Sequence, residues 1–116
     1  MSMNSTAALL DHDADERSMA EMMQNARNAT DLLKAVGHES RLIILCMLAE
    51  GERSVTELES ILALRQPTVS QQLARLRADR LVETRRDGKT VYYSLASDPA
   101  RQVVELLYDL YCAPKR

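Results

Sequence analysis

Two cysteines carry the most reactive side chains of this 116-residue sequence. Cys46 lies in an apolar run from Ile44 to Leu48, and Cys112 lies near the C-terminal end of the sequence. A thiolate attacks disulfides and sulfane sulfur, and two thiols can become joined by oxidation. A free cysteine is equally an ordinary packing residue, or an inert thiol at a fraying helix end. From the residues alone, a thiol-based sensor and a chemically inert pair both stay open.

The sequence contains no pattern that indicates an enzyme or a metal site. It has no Cys-x-x-Cys motif, and its three glycines do not form a phosphate-binding loop. His12 and His38 are its only histidines, whereas zinc and related ions are held by about three or four Cys and His ligands. A thiol peroxidase needs a cysteine with a lowered pKa, and neither cysteine is predicted at a helix N-terminus. We therefore expect no catalytic residue, no cofactor and no metal ion.

Residues 65–80 are predicted to form a helix that contacts DNA. Pro67 suits the first turn of a helix, and Val69, Leu73 and Leu76 recur at the spacing of one helical face. The face opposite this stripe carries amides, hydroxyls and a guanidinium, which pair with base edges and phosphates in the major groove. The predicted contacts from this helix are Gln66, Thr68, Ser70, Gln71, Gln72 and Arg75. An amphipathic surface helix without any role in DNA binding has the same spacing.

A basic β-hairpin is predicted directly after this helix. Apolar and polar residues alternate over 82–86 and 91–95, and Asp87-Gly88 between them is a pair favoured in two-residue turns. Such a hairpin after a helix-turn-helix is typical of a wing that reaches phosphates or the minor groove. The basic residues near its tip are Arg85, Arg86 and Lys89. A surface hairpin charged for solubility is the alternative.

Three predicted helices precede the DNA-contacting segment. The first runs from about 17 to 36 along a methionine-rich stripe, part of which we assign to a subunit interface. The second, 39–50, is apolar on nearly all sides, which is typical of a buried helix. The third opens at Ser54 with Glu57 three residues later, the pattern of a capping box. This short helix and the DNA-contacting helix together predict a helix-turn-helix.

The last predicted helix covers 99–112, with Asp98 as its N-cap and Pro99 in its first turn. Its apolar stripe is wide enough to pack against a second subunit as well as its own core. We therefore predict a mainly α fold with a small β-hairpin wing, a winged helix-turn-helix that forms a homodimer through its first and last helices. Residues 16–116 form this domain, and 1–15, which lack a sustained period, form a flexible N-terminal tail.

Charge is distributed unevenly along the chain. The formal net charge is −2, yet residues 65–89 contain seven basic and three acidic residues. A basic segment in a mildly acidic chain fits a local phosphate-binding surface. The sequence has neither a signal-peptide pattern nor an apolar run of about 20 residues, so we expect a cytoplasmic protein without a membrane span. Cysteines in that compartment are reduced at rest.

The predicted order of elements and three segments resemble the ArsR/SmtB family of bacterial repressors. The segments are Arg41-Leu42-Ile43-Ile44-Leu45, Gln66-Pro67-Thr68-Val69-Ser70-Gln71-Gln72-Leu73 and Arg86-Asp87-Gly88-Lys89-Thr90-Val91-Tyr92-Tyr93. The resemblance covers about residues 20–112. It implies a homodimeric winged helix-turn-helix protein that binds an inverted-repeat operator in double-stranded DNA and releases it when an inducer arrives.

The metal sensors of the family are poor matches at their ligand positions. Their thiolate site would need Cys-x-Cys where this sequence has Glu57-Leu58-Glu59-Ser60, and the last predicted helix lacks the histidine of the zinc and nickel sensors. The cysteine contexts instead resemble the two-cysteine, sulfur-sensing subgroup, BigR/SqrR-like. That resemblance implies that Cys46 and Cys112 react with persulfides or polysulfides and become joined by a polysulfide bridge. The protein then releases the operator of sulfide-detoxification genes.

Three alternatives to this sulfur-sensing function stay open. The repressor could respond to general thiol oxidation through a plain disulfide, or to a metal ion. The winged helix could also bind another protein instead of DNA, in which case it would show no salt-dependent affinity for DNA.

Overall fold

The computed structural model describes residues 16–63 and 66–114. Within these residues the chain forms five helices and three strands. In chain order they are α1 Glu16–Val36, α2 Glu39–Glu50, β1 Arg53–Ser54, α3 Val55–Leu62, α4 Gln66–Ala78, β2 Val82–Asp87, β3 Thr90–Leu95 and α5 Asp98–Tyr111. The predicted mainly α winged helix-turn-helix is confirmed, whereas the predicted tail, 1–15, lies outside the described residues.

The chain divides into two compact units between residues 33 and 34. The described part of the first unit is helix α1 from Glu16 to Leu33. The side chains of Met19, Met23 and Leu33 are exposed on this helix. The last turn of α1 and all later elements belong to the second unit. Within the described residues, no helix is long and apolar enough to cross a membrane. The role of α1 in a subunit interface stays a prediction.

The core of the second unit is aliphatic and is centred on α2 and α4. Leucine, isoleucine and valine side chains at helical spacing are fully buried because one stripe of each helix faces the interior. The fully buried large side chains are Ile44, Leu45, Leu48, Leu58, Val69, Leu73, Leu76 and Val104. The predicted apolar stripe of α4 is therefore confirmed. The helix α2, predicted to be buried on most sides, is open along one face, where Ile43 is exposed and Cys46 and Met47 are half-buried.

The strands form one antiparallel sheet in the order β1-β3-β2. The predicted hairpin is confirmed, with Val82 opposite Leu95 at one end of the register. Its turn lies one residue later than expected, because Asp87 still pairs with Thr90 and Gly88 is the first central residue. Gly88 has φ +65, so the turn needs glycine at that position, as type II′ turns do. The strand β1 was not predicted, since two residues are too few to show an alternating pattern.

The capping box at the start of α3 is confirmed. The Ser54 hydroxyl accepts the Glu57 backbone N–H at 3.1 Å, and the Glu57 carboxylate accepts the Ser54 backbone N–H at 2.8 Å. The second of these hydrogen bonds lowers the pKa of Glu57. Two backbone donors at the helix start are thereby satisfied, which fixes where the helix-turn-helix begins.

The N-cap predicted for the last helix was displaced by one residue. The hydroxyl of Ser97, rather than Asp98, accepts the backbone N–H of Ala100 at 3.1 Å. Asp98 and Pro99 then occupy the first turn, where a negative charge and a missing N–H are both tolerated. A similar cap starts α2, where His38 Nδ1 accepts the Ser40 backbone N–H at 3.2 Å.

We expect Ser54→Ala to lower the free energy of unfolding by about 1 kcal/mol, because the Glu57 N–H at the start of α3 loses its acceptor. Urea denaturation followed by circular dichroism measures the loss. Thr56→Ala is the matched control, since Thr56 lies in the same turn but is exposed and does not cap the helix. Equal losses for both variants would contradict a specific stabilising role for the Ser54 side chain.

Candidate nucleic-acid interface and cysteine pocket

The outer face of α4 presents short polar side chains to solvent. Thr68, Ser70 and Gln71 are exposed, while the apolar stripe of the same helix is buried beneath them. These three residues are therefore accessible for the contacts predicted for them. The side chain of Gln66, another predicted contact, lies outside the described part of the chain. An exposed helix face of hydroxyls and amides is what direct contact with base edges requires.

Gln72 is placed differently from its neighbours on α4. It is half-buried, and its Oε1 accepts a hydrogen bond from Nη1 of Arg41 at 3.1 Å. The same guanidinium donates to the backbone oxygens of Lys34 and Ala35 in the last turn of α1. Gln72 is thus tied to α2, and its amide nitrogen is the group left to donate to a ligand.

Two of the predicted arginine contacts, Arg75 on α4 and Arg85 on the wing, have acidic partners. Arg75 pairs with Asp79 one turn later at 3.0 Å, an exposed pair that contributes little and that a phosphate could replace. Arg85 is held more firmly, because its Nε and Nη2 each donate to one carboxylate oxygen of Glu52 at 2.7 Å. Its guanidinium also lies 4.6 Å from the centre of the Tyr92 ring. Arg85 is therefore oriented within the protein before any DNA is bound.

Between residues 75 and 89, all of which the structure describes, four exposed cations have no ion-pair partner. Two of them, Arg86 and Lys89, are predicted contacts at the tip of the wing. The other two, Arg77 and Arg80, lie at the C-terminal end of α4 and were not predicted as contacts. In the sequence, Arg77 and Arg80 were marked only by lying within the basic segment 65–89. No sequence pattern shows which cations lack an ion-pair partner in the fold.

Arg80 stands in a backbone conformation that normally favours glycine. Its φ is +63, and it ends α4 through hydrogen bonds from Arg80 N to Arg77 O and from Leu81 N to Leu76 O. Such a helix end usually carries glycine, and a side chain there costs about 1 kcal/mol. An exposed arginine that keeps this strained backbone conformation beside α4 is a candidate for a phosphate contact.

Cys46 and Cys112 line a single pocket of about 600 Å³ between α2 and α5. Cys46 lies on the open face of α2, and Cys112 is the C-cap of α5. The pocket is mainly apolar, with carboxylates at its rim. Its other lining residues are Leu42, Ile43, Met47, Ala49, Glu50, Val104, Glu105, Tyr108 and Asp109. The fold therefore brings both predicted sensor residues to one site.

The two thiols differ in their surroundings. Burial raises the pKa of Cys46, and the nearby Cys112 and Glu50 act in the same direction. Cys46 is therefore predominantly a thiol at neutral pH, whereas Cys112 is exposed to solvent. Among the described residues, no three side chains of the Cys, His, Asp and Glu types are arranged to hold a metal ion. Of the two thiols in the pocket, Cys112 is therefore the more accessible to a reagent from solvent.

Comparisons with known proteins agree with this fold. Residues 38–84 match the family model "Bacterial regulatory protein, arsR family". The biofilm growth-associated repressor of Agrobacterium fabrum is 46% identical over 103 residues, covering 89% of this chain and 88% of that protein. The transcriptional activator HlyU of Vibrio cholerae is 50% identical over 95 residues, covering 82% and 88%. The crystal structure of the transcriptional repressor BigR from Xylella fastidiosa has a TM-score of 0.75 and 44% identity, covering 83% of this chain and 98% of that one.

We expect iodoacetamide to modify Cys112 before Cys46 at neutral pH. The thiolate is the reactive species, and the raised pKa and partial burial of Cys46 both slow its reaction. Peptide mass spectrometry at several times after addition measures the two rates, and raising the pH should narrow the difference. Faster labelling of Cys46 at pH 7 would contradict the described environment of its thiol.

We expect Arg80→Gly to raise stability by about 1 kcal/mol, because glycine tolerates the positive φ. The same change should reduce the steepness of the plot of log affinity against log salt for duplex DNA by about 0.9, the loss of one phosphate contact. Arg80→Lys is the matched control, since it keeps the charge and should keep the slope. An unchanged slope in Arg80→Gly would show that Arg80 does not contact phosphate.

Proposed function

The chain belongs to the ArsR family of bacterial regulatory proteins, whose members are DNA-binding transcriptional regulators, and we propose that it is a homodimeric repressor that senses persulfides or polysulfides. The observation that carries this proposal is the position of Cys46 and Cys112 in one pocket between α2 and α5. No metal ligand or cofactor is needed for two thiols to react with sulfane sulfur. Joining them covalently would change how the two helices pack.

The reaction begins at the exposed thiol. The Cys112 thiolate attacks the outer sulfur of a persulfide RSSH, so the S–S bond of the persulfide breaks, RSH leaves and Cys112 carries the added sulfur. This Cys112 persulfide attacks the R-bearing sulfur of a second RSSH and displaces H₂S. Cys46 then attacks the added sulfur and releases a second RSH, which leaves a trisulfide between the two cysteines. Two RSSH and two thiols thus give one trisulfide, two RSH and one H₂S, which balances atoms and electrons.

We infer that the bridge between the two cysteines contains extra sulfur atoms. A plain disulfide demands Cα atoms about 4.4 to 6.8 Å apart, and each further S–S bond extends the reach by about 2 Å. A cavity of about 600 Å³ between the helices provides room for the added atoms. The raised pKa of Cys46 slows its own reaction with peroxide, because that reaction needs the thiolate, so Cys112 is the first thiol to react with either reagent. Peroxide forming a plain disulfide is the alternative signal.

The DNA-binding part of the proposal rests on α4 and the wing. In this arrangement α4 enters the major groove with Thr68, Ser70 and Gln71 towards the bases, and the wing brings Arg86 and Lys89 to the backbone. Gln72, Arg75 and Arg85 contribute from positions that are already hydrogen-bonded within the protein. Gln66 at the start of α4 remains a proposed contact.

The homodimer is proposed from the outer face of α5. Leu106, Leu110 and Tyr111 are 56%, 57% and 81% exposed, which is unusual for three large apolar or aromatic side chains on one short helix. A second copy packed on this face would bury them, and α1 would contribute its exposed methionines. Two-fold symmetry would then place two copies of α4 on the half-sites of an inverted repeat.

Repression, with release of DNA by the inducer, is the proposed direction of control. The relatives include proteins named as repressors and one named as an activator. From the proposed signal, we expect the operator to control genes of sulfide detoxification.

Glutathione persulfide should link Cys46 to Cys112 and weaken operator binding by about tenfold or more, as expected of a typical coupling between two sites. The operator is first selected from random duplexes with reduced protein. Peptide mass spectrometry detects the link as added sulfur with loss of two hydrogens, and fluorescence anisotropy measures the DNA affinity.

Cys46→Ser and Cys112→Ser are the control variants, and neither should release DNA after treatment. Hydrogen peroxide given in parallel separates sulfur sensing from general oxidation. Release by peroxide alone would favour the disulfide alternative, and an unlinked protein that keeps its DNA after both treatments would contradict the sensor.

A further inference from the structure

We propose that α2 transmits the state of Cys46 to both DNA-contacting elements through two polar contacts, Arg41 with Gln72 on α4 and Glu52 with Arg85 on the wing. Arg41 and Glu52 are then positioning residues: neither needs to touch DNA, and each orients a side chain that does. This inference rests on the proposed sulfur-sensing function, because it explains how a link between two cysteines reaches the DNA surface.

The first contact lies at the N-terminal end of α2. The half-buried Arg41 donates from Nε to Ala35 O at 2.6 Å, from Nη2 to Lys34 O at 3.1 Å and from Nη1 to Gln72 Oε1 at 3.1 Å. A guanidinium is a rigid planar group whose donors point in fixed directions. The end of α1 and the side chain of Gln72 are therefore held in one geometry relative to α2.

The second contact lies just beyond the C-terminal end of α2. Glu52 accepts two hydrogen bonds from Arg85, each at 2.7 Å. Because the strand order is β1-β3-β2, this pair reaches from the segment before β1 across β3 to the outer strand β2. Arg85 also stacks on Tyr92 of the middle strand. The orientation of the wing is thus tied to the end of α2 by more than its backbone pairing.

Cys46 lies on α2 between these two contacts: Arg41 belongs to the helix, and Glu52 follows its last residue, Glu50, after Gly51. At about 1.5 Å per residue, Cys46 is roughly 8 Å along the helix axis from Arg41 and roughly 6 Å from Glu50. A short helix moves as a rigid body, so a bridge that pulls or rotates α2 at Cys46 displaces both ends together. Apolar packing of α2 transmits a displacement, but a directional hydrogen bond also changes the orientation of the partner side chain.

The contact with Arg41 also determines what Gln72 can recognise. A glutamine pairs with adenine by accepting through its oxygen and donating through its nitrogen. The Gln72 oxygen already uses one of its two lone pairs for a charged donor, which makes it less available to the adenine amino group than the N–H₂, both of whose hydrogens are free to donate. Gln72 in the reduced protein therefore favours an acceptor such as guanine O6 or N7, or a phosphate. Displacement of Arg41 would remove this restriction and alter the recognition surface.

Two variants test the transmission, Arg41→Met and Glu52→Gln. The quantity compared is the ratio of operator Kd for the sulfur-linked protein to that for the reduced protein, measured within each variant. Any change in basal affinity cancels in this ratio. Each variant should lower the ratio by about threefold or more, a sizeable part of a typical coupling. Mass spectrometry must show that the link between Cys46 and Cys112 still forms.

Arg53→Gln is the matched control. Arg53 pairs with Glu50 at 3.1 Å at the same end of α2, but this pair does not reach α4 or β2. Its ratio should equal that of the wild type. The conservative variant Glu52→Asp keeps a carboxylate for the Arg85 guanidinium, so it should retain part of the ratio lost in Glu52→Gln, which a merely structural role for the Glu52 side chain would not produce. Base selection by reduced Arg41→Met should shift from guanine towards adenine at one position of each half-site.

Hydrogen exchange of the wild type provides a second measurement that needs no variant. Linking the cysteines should increase amide exchange in α4 near Gln72 and in β2 near Arg85. Suppose that the linked wild type releases DNA. Unchanged Kd ratios in both variants, or hydrogen exchange altered only in α5, would then overturn the transmission while leaving the sensor intact. A linked wild type that keeps its DNA would overturn both the sensor and the transmission.

Discussion

The structure depends on α2 being buried along one face and open along another. Ile44, Leu45 and Leu48 anchor the helix in the core, and burial of each such side chain contributes about 1.5 to 3 kcal/mol. The opposite face leaves Cys46 beside a cavity rather than in close packing. A helix held only by its buried face can shift when its open face acquires a covalent partner. A fully buried helix would have kept Cys46 out of reach of any reagent.

The proposed DNA surface combines side chains that have no partner in the described structure with side chains that are already hydrogen-bonded within the protein. Arg86 and Lys89 are exposed and free to pair with DNA phosphates. Exposed charges of this kind supply affinity for DNA that decreases as the salt concentration rises. Arg85 and Gln72 have lost that freedom to Glu52 and Arg41. Ordering them before binding reduces the entropy lost on DNA and makes their orientation depend on the protein's own conformation. Regulation acts best on residues of the second kind.

The local features of this fold were predictable from the sequence, and the long-range ones were not. The stripe of Val69, Leu73 and Leu76 and the capping box at Ser54 depend on neighbours within about one or two turns, so their spacing was sufficient. The hydrogen bonds that hold Gln72 on α4 and Arg85 on the wing join residues 31 and 33 positions apart in the sequence. No sequence periodicity reveals contacts at such separations. The cysteine pocket likewise depends on how α2 and α5 pack; from the sequence, only family resemblance suggested that the two thiols act together.

The most direct test of sulfur sensing is to measure the sulfur link separately in DNA-bound and released protein. Reduced protein bound to its selected operator is treated with less persulfide than is needed to react with all of the protein. The DNA-bound and released fractions are then separated and digested. The account predicts that the peptide joining Cys46 to Cys112 through added sulfur is concentrated in the released fraction and nearly absent from the bound one. Equal amounts of the linked peptide in both fractions would contradict it, because the link would then form without affecting DNA binding.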